Sequence, residues 1–339
     1  MKSFSQIGWM FEAVSKPTRR VNEGDSTLDI RTSSLTRRIG VWASKPLLAI
    51  CWLSAVGCAV TPYRVGHSPD ANTVMEKPVE IAIAYGQPHK MLDDVAWVVG
   101  LPTRLLPMHA NVNNHKLSRE TADKLKAYLR ENDLTDVYVR VNQYDPSGEW
   151  RRLRENTRIA PGWRYSVGAA GLIAYSVLPG RVFGGDLYNP FTNSLYINSD
   201  VPAVVLMEAA YAKDINSRRL PGVYATVNEL PVLSLWRHTH AINDVLGYAR
   251  AHDDWDVERE TYRVVYPQMG VHAALGGHSA AALGTAMPLI TIPIIAVGGA
   301  IAGHAVGQAT IAKRVAARSA ELHVKERGQE IQQISHTKH

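Results

Sequence analysis

Cysteine is almost missing from this chain of 339 residues: Cys51 and Cys58 are the only two, and both fall in one short apolar stretch. The chain after residue 60 therefore has no disulfide, no cysteine-based metal site and no cysteine nucleophile. Its stability has to come from packing. Also missing are an arginine-rich helix, a zinc-finger spacing and an RNA-binding signature. The formal charge of +6 and the pI near 9.2 therefore do not point to nucleic acid as a partner. The longest absence is of charge: residues 264–312 contain no Asp, Glu, Lys or Arg. Basic residues gather instead beside apolar segments, the arrangement that orients proteins in membranes. With 46% hydrophobic residues, a chain of this length can build a sizeable core in one or two domains.

What is present begins with a polar, basic extension, 1–45, carrying Arg19, Arg20, Arg37, Arg38 and Lys45 and no sustained apolar period. Such a segment is expected to be disordered; a start of translation further downstream is the alternative. Residues 46–60 read P-L-L-A-I-C-W-L-S-A-V-G-C-A-V. A basic flank, a short apolar core and small residues before Cys58 make a secretory signal pattern. Ala55-Val56-Gly57-Cys58 resembles a bacterial lipobox, which makes Cys58 the candidate lipidation site. An uncleaved anchor is the alternative, and either predicts export to the cell envelope. Residues 61–78 read as a polar linker.

The body, 79–270, mixes both periods. Alternation predicts strands over 79–85 and 137–143. Ser118 predicts a capped helix to Asn132, with Leu125, Tyr128 and Leu129 on one side. Residues 151–164 are basic and turn-rich, and Arg151, Arg152, Arg154 and Arg158 suit either lipid headgroups or a solvated loop. The apolar run 165–178 is short for a membrane span, which needs roughly 20 residues, so two buried strands or a re-entrant helix are expected. The stretch 186–214 organises the rest. A loop with Asn189-Pro190-Phe191 leads into a strand near 194–198. Ser199 or Asp200 then caps a helix over 201–213, with Pro202 in its first turn. Met207 and Tyr211 are i and i+4 on that helix and Glu208 lies beside them. Further on, His240 and Asp244 share a helical face, and 253–262 carries Glu258.

This strand, cap and helix unit resembles the active-site segment of the gluzincin metallopeptidases, above all the membrane-associated branch that contains the CAAX prenyl protease. In that family the helix carries His-Glu-x-x-His and a later Glu-x-x-x-Asp helix gives the third zinc ligand. Here Met207-Glu208-x-x-Tyr211 stands for the first motif and Glu258 with Tyr262 for the second. The resemblance implies an α+β metallopeptidase-like domain, with a small mixed sheet packed on the motif helices. It also implies eroded ligand positions at Met207, Tyr211 and Glu258. A thioether is a soft, poor match for zinc among oxygen ligands, and a phenol with a pKa near ~10 stays protonated. No metal or other cofactor is expected, and Glu208 is left as a vestigial general base without a metal-bound water. The favoured function is a non-catalytic, membrane-anchored pseudoenzyme. It would bind or scaffold an envelope protein or peptide, an extended chain pairing with the edge strand of the old cleft. One alternative is an active peptidase whose zinc is held by relocated ligands such as His240, Asp244, Glu258 or His272. Another is a structural lipoprotein. The plainest reading of the pattern is an ordinary amphipathic helix with a solvent-facing glutamate.

The C-terminal third predicts contact with membrane lipid. Residues 271–312 form an apolar Gly/Ala-rich segment, and 279–303 is long enough to cross a bilayer, with kinks at Pro288 and Pro293. Gly299, Gly303 and Gly307 recur every four residues and give one smooth face, suited to a homo-oligomer of packed helices. Lys313, Arg314 and Arg318 follow, a positive-inside signal that places the tail, 313–339, in the cytoplasm and the body outside. A glycine-rich helical hairpin buried in the protein is the alternative.

Overall fold

A computed structural model of the chain describes residues 61–66, 81–87, 90–177, 185–230, 233–281 and 291–337. All the described residues belong to one compact unit, Gly57–His339. The extension 1–45, the 46–60 segment with Cys58, most of the linker and Pro288 lie outside the described residues.

The elements run in the order β1 (Ile83–Tyr85), α1 (Lys90–Val99), α2 (Leu101–Leu105), α3 (Arg119–Glu131), β2 (Tyr138–Val141), α4 (Pro146–Glu155) and α5 (Ala169–Val177). There follow β3 (Leu187–Asn189), β4 (Ser194–Ile197), α6 (Pro202–Asn216), α7 (Pro221–Asn228), α8 (Leu233–Ala251), α9 (Trp255–Glu260), α10 (Tyr266–Ala281) and α11 (Thr291–Thr337). The fold is α+β: mostly helical, with one small mixed sheet among the described residues. Its strand order is β1-β2-β4-β3. The first three are parallel, and β3 pairs antiparallel with β4 as an edge strand, Tyr188 opposite Leu195.

Side chains alternate across a strand, so each face of this sheet has its own set. Val139, Val141, Leu195 and Ile197 join Leu125 and Leu129 of α3, Val204 and Val205 of α6, and Val245 and Leu246 of α8 in the buried core. Fully burying one such side chain is worth ~1.5–3 kcal/mol. Arg140, Ser194 and Tyr196 meet α4 and α5 instead. Glu149 of α4 accepts from Arg140 Nε at 2.5 Å and from Ser194 Oγ at 2.8 Å, while Tyr175 of α5 lies 5.3 Å from the ring of Tyr196.

Several expectations meet their structures here. Ser118 caps α3, its hydroxyl accepting from Thr121 N–H. Neither Ser199 nor Asp200 caps α6. Asp200 accepts from Ser118 and Thr121 at the start of α3, Ser199 bonds Asp186, and Val201 is the cap residue without a side-chain bond. The basic run 151–164 is not simply a turn-rich loop, because its first five residues complete α4 and Arg152 donates to the carbonyls of Thr192 and Asn193. Residues 165–177 do not form two strands. A π-helical stretch, Arg164–Gly168, runs into α5, and its Gly168 leaves room for Phe191, which a Cβ would strike. The linker also docks: the Tyr63 ring lies 5.4 Å from Tyr248, and Gly66 N–H donates to Asn132 Oδ1 at 2.8 Å.

After α9 a π-helical stretch, Thr261–Val265, leads into α10, and α10 packs along α11. The glycines set this contact. A Cβ on Gly299 would strike the Gly270 carbonyl, one on Gly303 the Tyr266 carbonyl, and one on Gly307 the Tyr262 carbonyl. The falling partner numbers show that the two helices run antiparallel. The smooth face expected to join two copies is thus covered by α10 of the same chain. Pro293 sits in the first turn of α11, where the missing N–H costs no helical bond. Among the described residues one helical stretch, Thr291–Val324, is long and apolar enough to cross a membrane. Within the tail α11 continues as helix to Thr337.

Candidate functional site

Helix α6 carries Met207, Glu208 and Tyr211, and all three are buried between the sheet and α8. Glu208 is therefore not a solvent-facing glutamate on an amphipathic surface. Its Oε2 accepts from the backbone N–H of Tyr188, at the middle of the edge strand β3, at 3.1 Å. The Tyr211 ring stands edge-on to Tyr188 with centroids 5.8 Å apart. Arg237 of α8 completes the group. Its guanidinium lies 4.6 Å over the Tyr211 ring and its Nη1 reaches Glu229 Oε1 at 3.5 Å. Burial pushes the Glu208 carboxyl up to about 7, against the pull of Arg237, which favours the carboxylate. Burial raises the pKa of the Tyr211 hydroxyl further above the usual phenol value, against the pull of Arg237 beside it.

Glu258 goes elsewhere. Its Oε1 accepts from Arg250 Nε at 2.8 Å, from Arg314 Nε at 2.8 Å and from the Tyr262 hydroxyl at 2.9 Å. Burial would raise this carboxyl, but those hydrogen bonds win and hold it below the usual glutamate value. The structure thus brings Met207, Glu208 and Tyr211 together on one helix and leaves Glu258 in a separate arginine clamp. Two residues further on, Glu260 does reach α6. Its Oε2 accepts from Ala203 N–H at 2.9 Å, satisfying one of the free donors at the start of the helix. Burial pushes Glu260 up to about 7 as well. Nothing local marked Glu260, because its partner lies 57 positions away.

The residues present do not fit a zinc ion. Met207 and Tyr211 are poor donors for it, and the third position is taken up by two arginines. Among the described residues no group of three or more His, Cys, Asp or Glu converges as a metal site. The relocated candidates lie apart in separate contacts. His240 packs on Trp236, Asp244 accepts from Tyr128 and Lys213, and His272 stacks on His238 at 4.3 Å. Asp186, at the entry to β3, is also committed. It accepts from the backbone N–H groups of Asn198 and Ser199 and from the Ser199 hydroxyl.

Compared with known proteins, the chain matches no protein-family model, no curated protein and no solved structure. The site has to be read from its own chemistry. A buried carboxyl bonded to the backbone of an edge strand is well placed to hold that strand on the helix.

Proposed function

We propose that this is a membrane-anchored, non-catalytic protein with a metallopeptidase-like core that binds or scaffolds a protein or peptide of the cell envelope. In this reading the 46–60 segment exports the body, either lipidated at Cys58 or kept as an anchor, and the apolar C-terminal helix adds a second hold on lipid. The observation that carries the non-catalytic part is the bond from Tyr188 N–H to Glu208. A general base must face its substrate water, and this carboxyl faces the protein's own edge strand. A partner strand adding to β3 has to take that N–H from Glu208, so binding in the old cleft is coupled to this one carboxyl.

The test uses the full chain purified in detergent from zinc-fed cells. It should carry far less than stoichiometric zinc and leave an unfolded protein substrate uncut, and Glu208→Gln should change neither result. Stoichiometric zinc together with hydrolysis that Glu208→Gln abolishes would overturn the reading in favour of a working peptidase.

A further inference from the structure

The uncharged run 264–312 is bounded by Arg263 at one end and by Lys313 and Arg314 at the other. The structure folds that run back on itself. Because Gly270 meets Gly299 and Tyr262 meets Gly307, both basic ends lie toward the body end of one hairpin, Arg263 about level with position 306 and Lys313 ~10 Å further along α11. Arg263 and Lys313 are both exposed there. The base is also tied to the body. Arg314 pairs with Glu258, and Arg318 pairs with Asp253 at 2.9 Å and lies 5.2 Å from the Trp255 ring.

Away from the base the outer side of the hairpin is apolar and open. Ile294 is 68% exposed and Ile301 62%, with Ile292, Val297 and Val306 exposed beside them. A second apolar surface adjoins it. In α1 and α2 Met91, Trp97, Val98 and Leu105 are exposed, and the loop that follows is tied to the hairpin by His304 Nε2 and the Leu106 carbonyl, 2.9 Å apart. From Gly307, against the body, to Thr291 the helix rises ~24 Å, and the 16 residues of α10 also span ~24 Å.

We propose that α10 and α11 enter a lipid bilayer together as a hairpin, from the side on which the body lies, so that the body and the tail beyond Lys313 stay on one face of the membrane. The proposal rests on the membrane-anchored part of the function proposed above. Lipid is the occupant for three reasons. The run has no Asp, Glu, Lys or Arg to desolvate, the exposed face of α11 is aliphatic, and basic residues bound the run at its body end, where anionic headgroups would lie. The arrangement expected from charge alone, with body and tail on opposite faces, would require the Arg314–Glu258 and Arg318–Asp253 pairs to break.

The experiment places single added cysteines in the full chain, at Glu120→Cys in the body, Glu321→Cys in the tail and Ile294→Cys on the hairpin, with the parent chain as the background for Cys51 and Cys58. In sealed membranes an impermeant maleimide should label positions 120 and 321 from the same side and should fail to label 294 until detergent is added. With a fluorophore at 294, nitroxide-bearing acyl chains should quench its emission. Labelling of 120 and 321 from opposite sides would overturn the hairpin and leave a single-crossing anchor standing. Protection of 294 without quenching would mean that a second copy or another protein covers the face, which also overturns it. Recovery of the lipid-free chain in the soluble fraction, with 294 reactive, would sink the membrane anchor itself.

Discussion

Glu258 in α9 and Arg314 in α11 lie 56 positions apart and form a 2.8 Å ion pair that ties the C-terminal helix to the body. Arg250 shares the same carboxylate oxygen. The position that resembled a metal ligand is thus the hub of a clamp, with its side chain 1% exposed between two arginines. Removing the shared acid strands both cations, whereas removing one arginine leaves the other in place. Both arginines are partly open to water, so Glu258→Ala should destabilise the fold by ~1.5–3 kcal/mol, and Arg314→Ala by clearly less. Urea unfolding and protease sensitivity of the tail would measure both, and equal losses would count against the shared clamp.

A pH dependence follows from the two buried glutamates. Glu208 and Glu260 are raised from 4.5 to about 7 on folding, with burial the main cause. The folded state therefore holds protons that the unfolded chain has released, and stability falls as pH rises. Their favourable contribution is complete below about 4.5, declines through the interval and is gone above about 7. Buried His238, lowered to about 3, makes stability rise with pH over part of the same range, so the decline is read as the difference between melting curves of the parent and of the variants from pH 5 to pH 8. Glu208→Gln, which can still accept from Tyr188 N–H, should remove part of this component, and adding Glu260→Gln the rest.

The buried pair on the other face of the sheet gives a third expectation. Arg140 and Glu149 are 2% and 0% exposed. Glu149→Ala leaves an arginine buried beneath α4 and should cost ~3–5 kcal/mol. At ~2–4 °C per kcal/mol for a domain of this size, the melting point should fall by roughly 10 °C. A loss under ~1 kcal/mol would mean that water reaches Arg140.

Neighbouring glycines in α11 should behave in opposite ways. A Cβ at Gly299 strikes the Gly270 carbonyl and the Ala274 side chain, whereas one at Gly298 meets nothing within 4 Å. Gly299→Ala should force the hairpin apart and expose α10 to protease. Gly298→Ala should be neutral or stabilise by ~0.5–1 kcal/mol through helix propensity alone. Equal behaviour of the two variants would show that α10 and α11 do not pack on this face.

The amino-acid sequence by itself determined the features whose causes are local. Ser118 caps α3 because its hydroxyl needs only the N–H three residues on. The alternation around 138–141 makes β2, and Pro202 starts α6 because its fixed φ suits a first turn. The absence of charge from 264–312 and the four-residue glycine spacing were equally plain. Tertiary structure decided what each of these features meets. Residues 165–177 became helix rather than strand where Leu172 is buried and Gly168 admits Phe191. Met207, Glu208 and Tyr211 share one helix by spacing alone, but the Tyr188 N–H, Arg237 and the arginines around Glu258 come from segments far along the chain. Glycine spacing creates a smooth face without saying what covers it. Side-chain type and period set local hydrogen bonding and amphipathicity over a few residues, whereas pairing between distant segments depends on how the whole core packs.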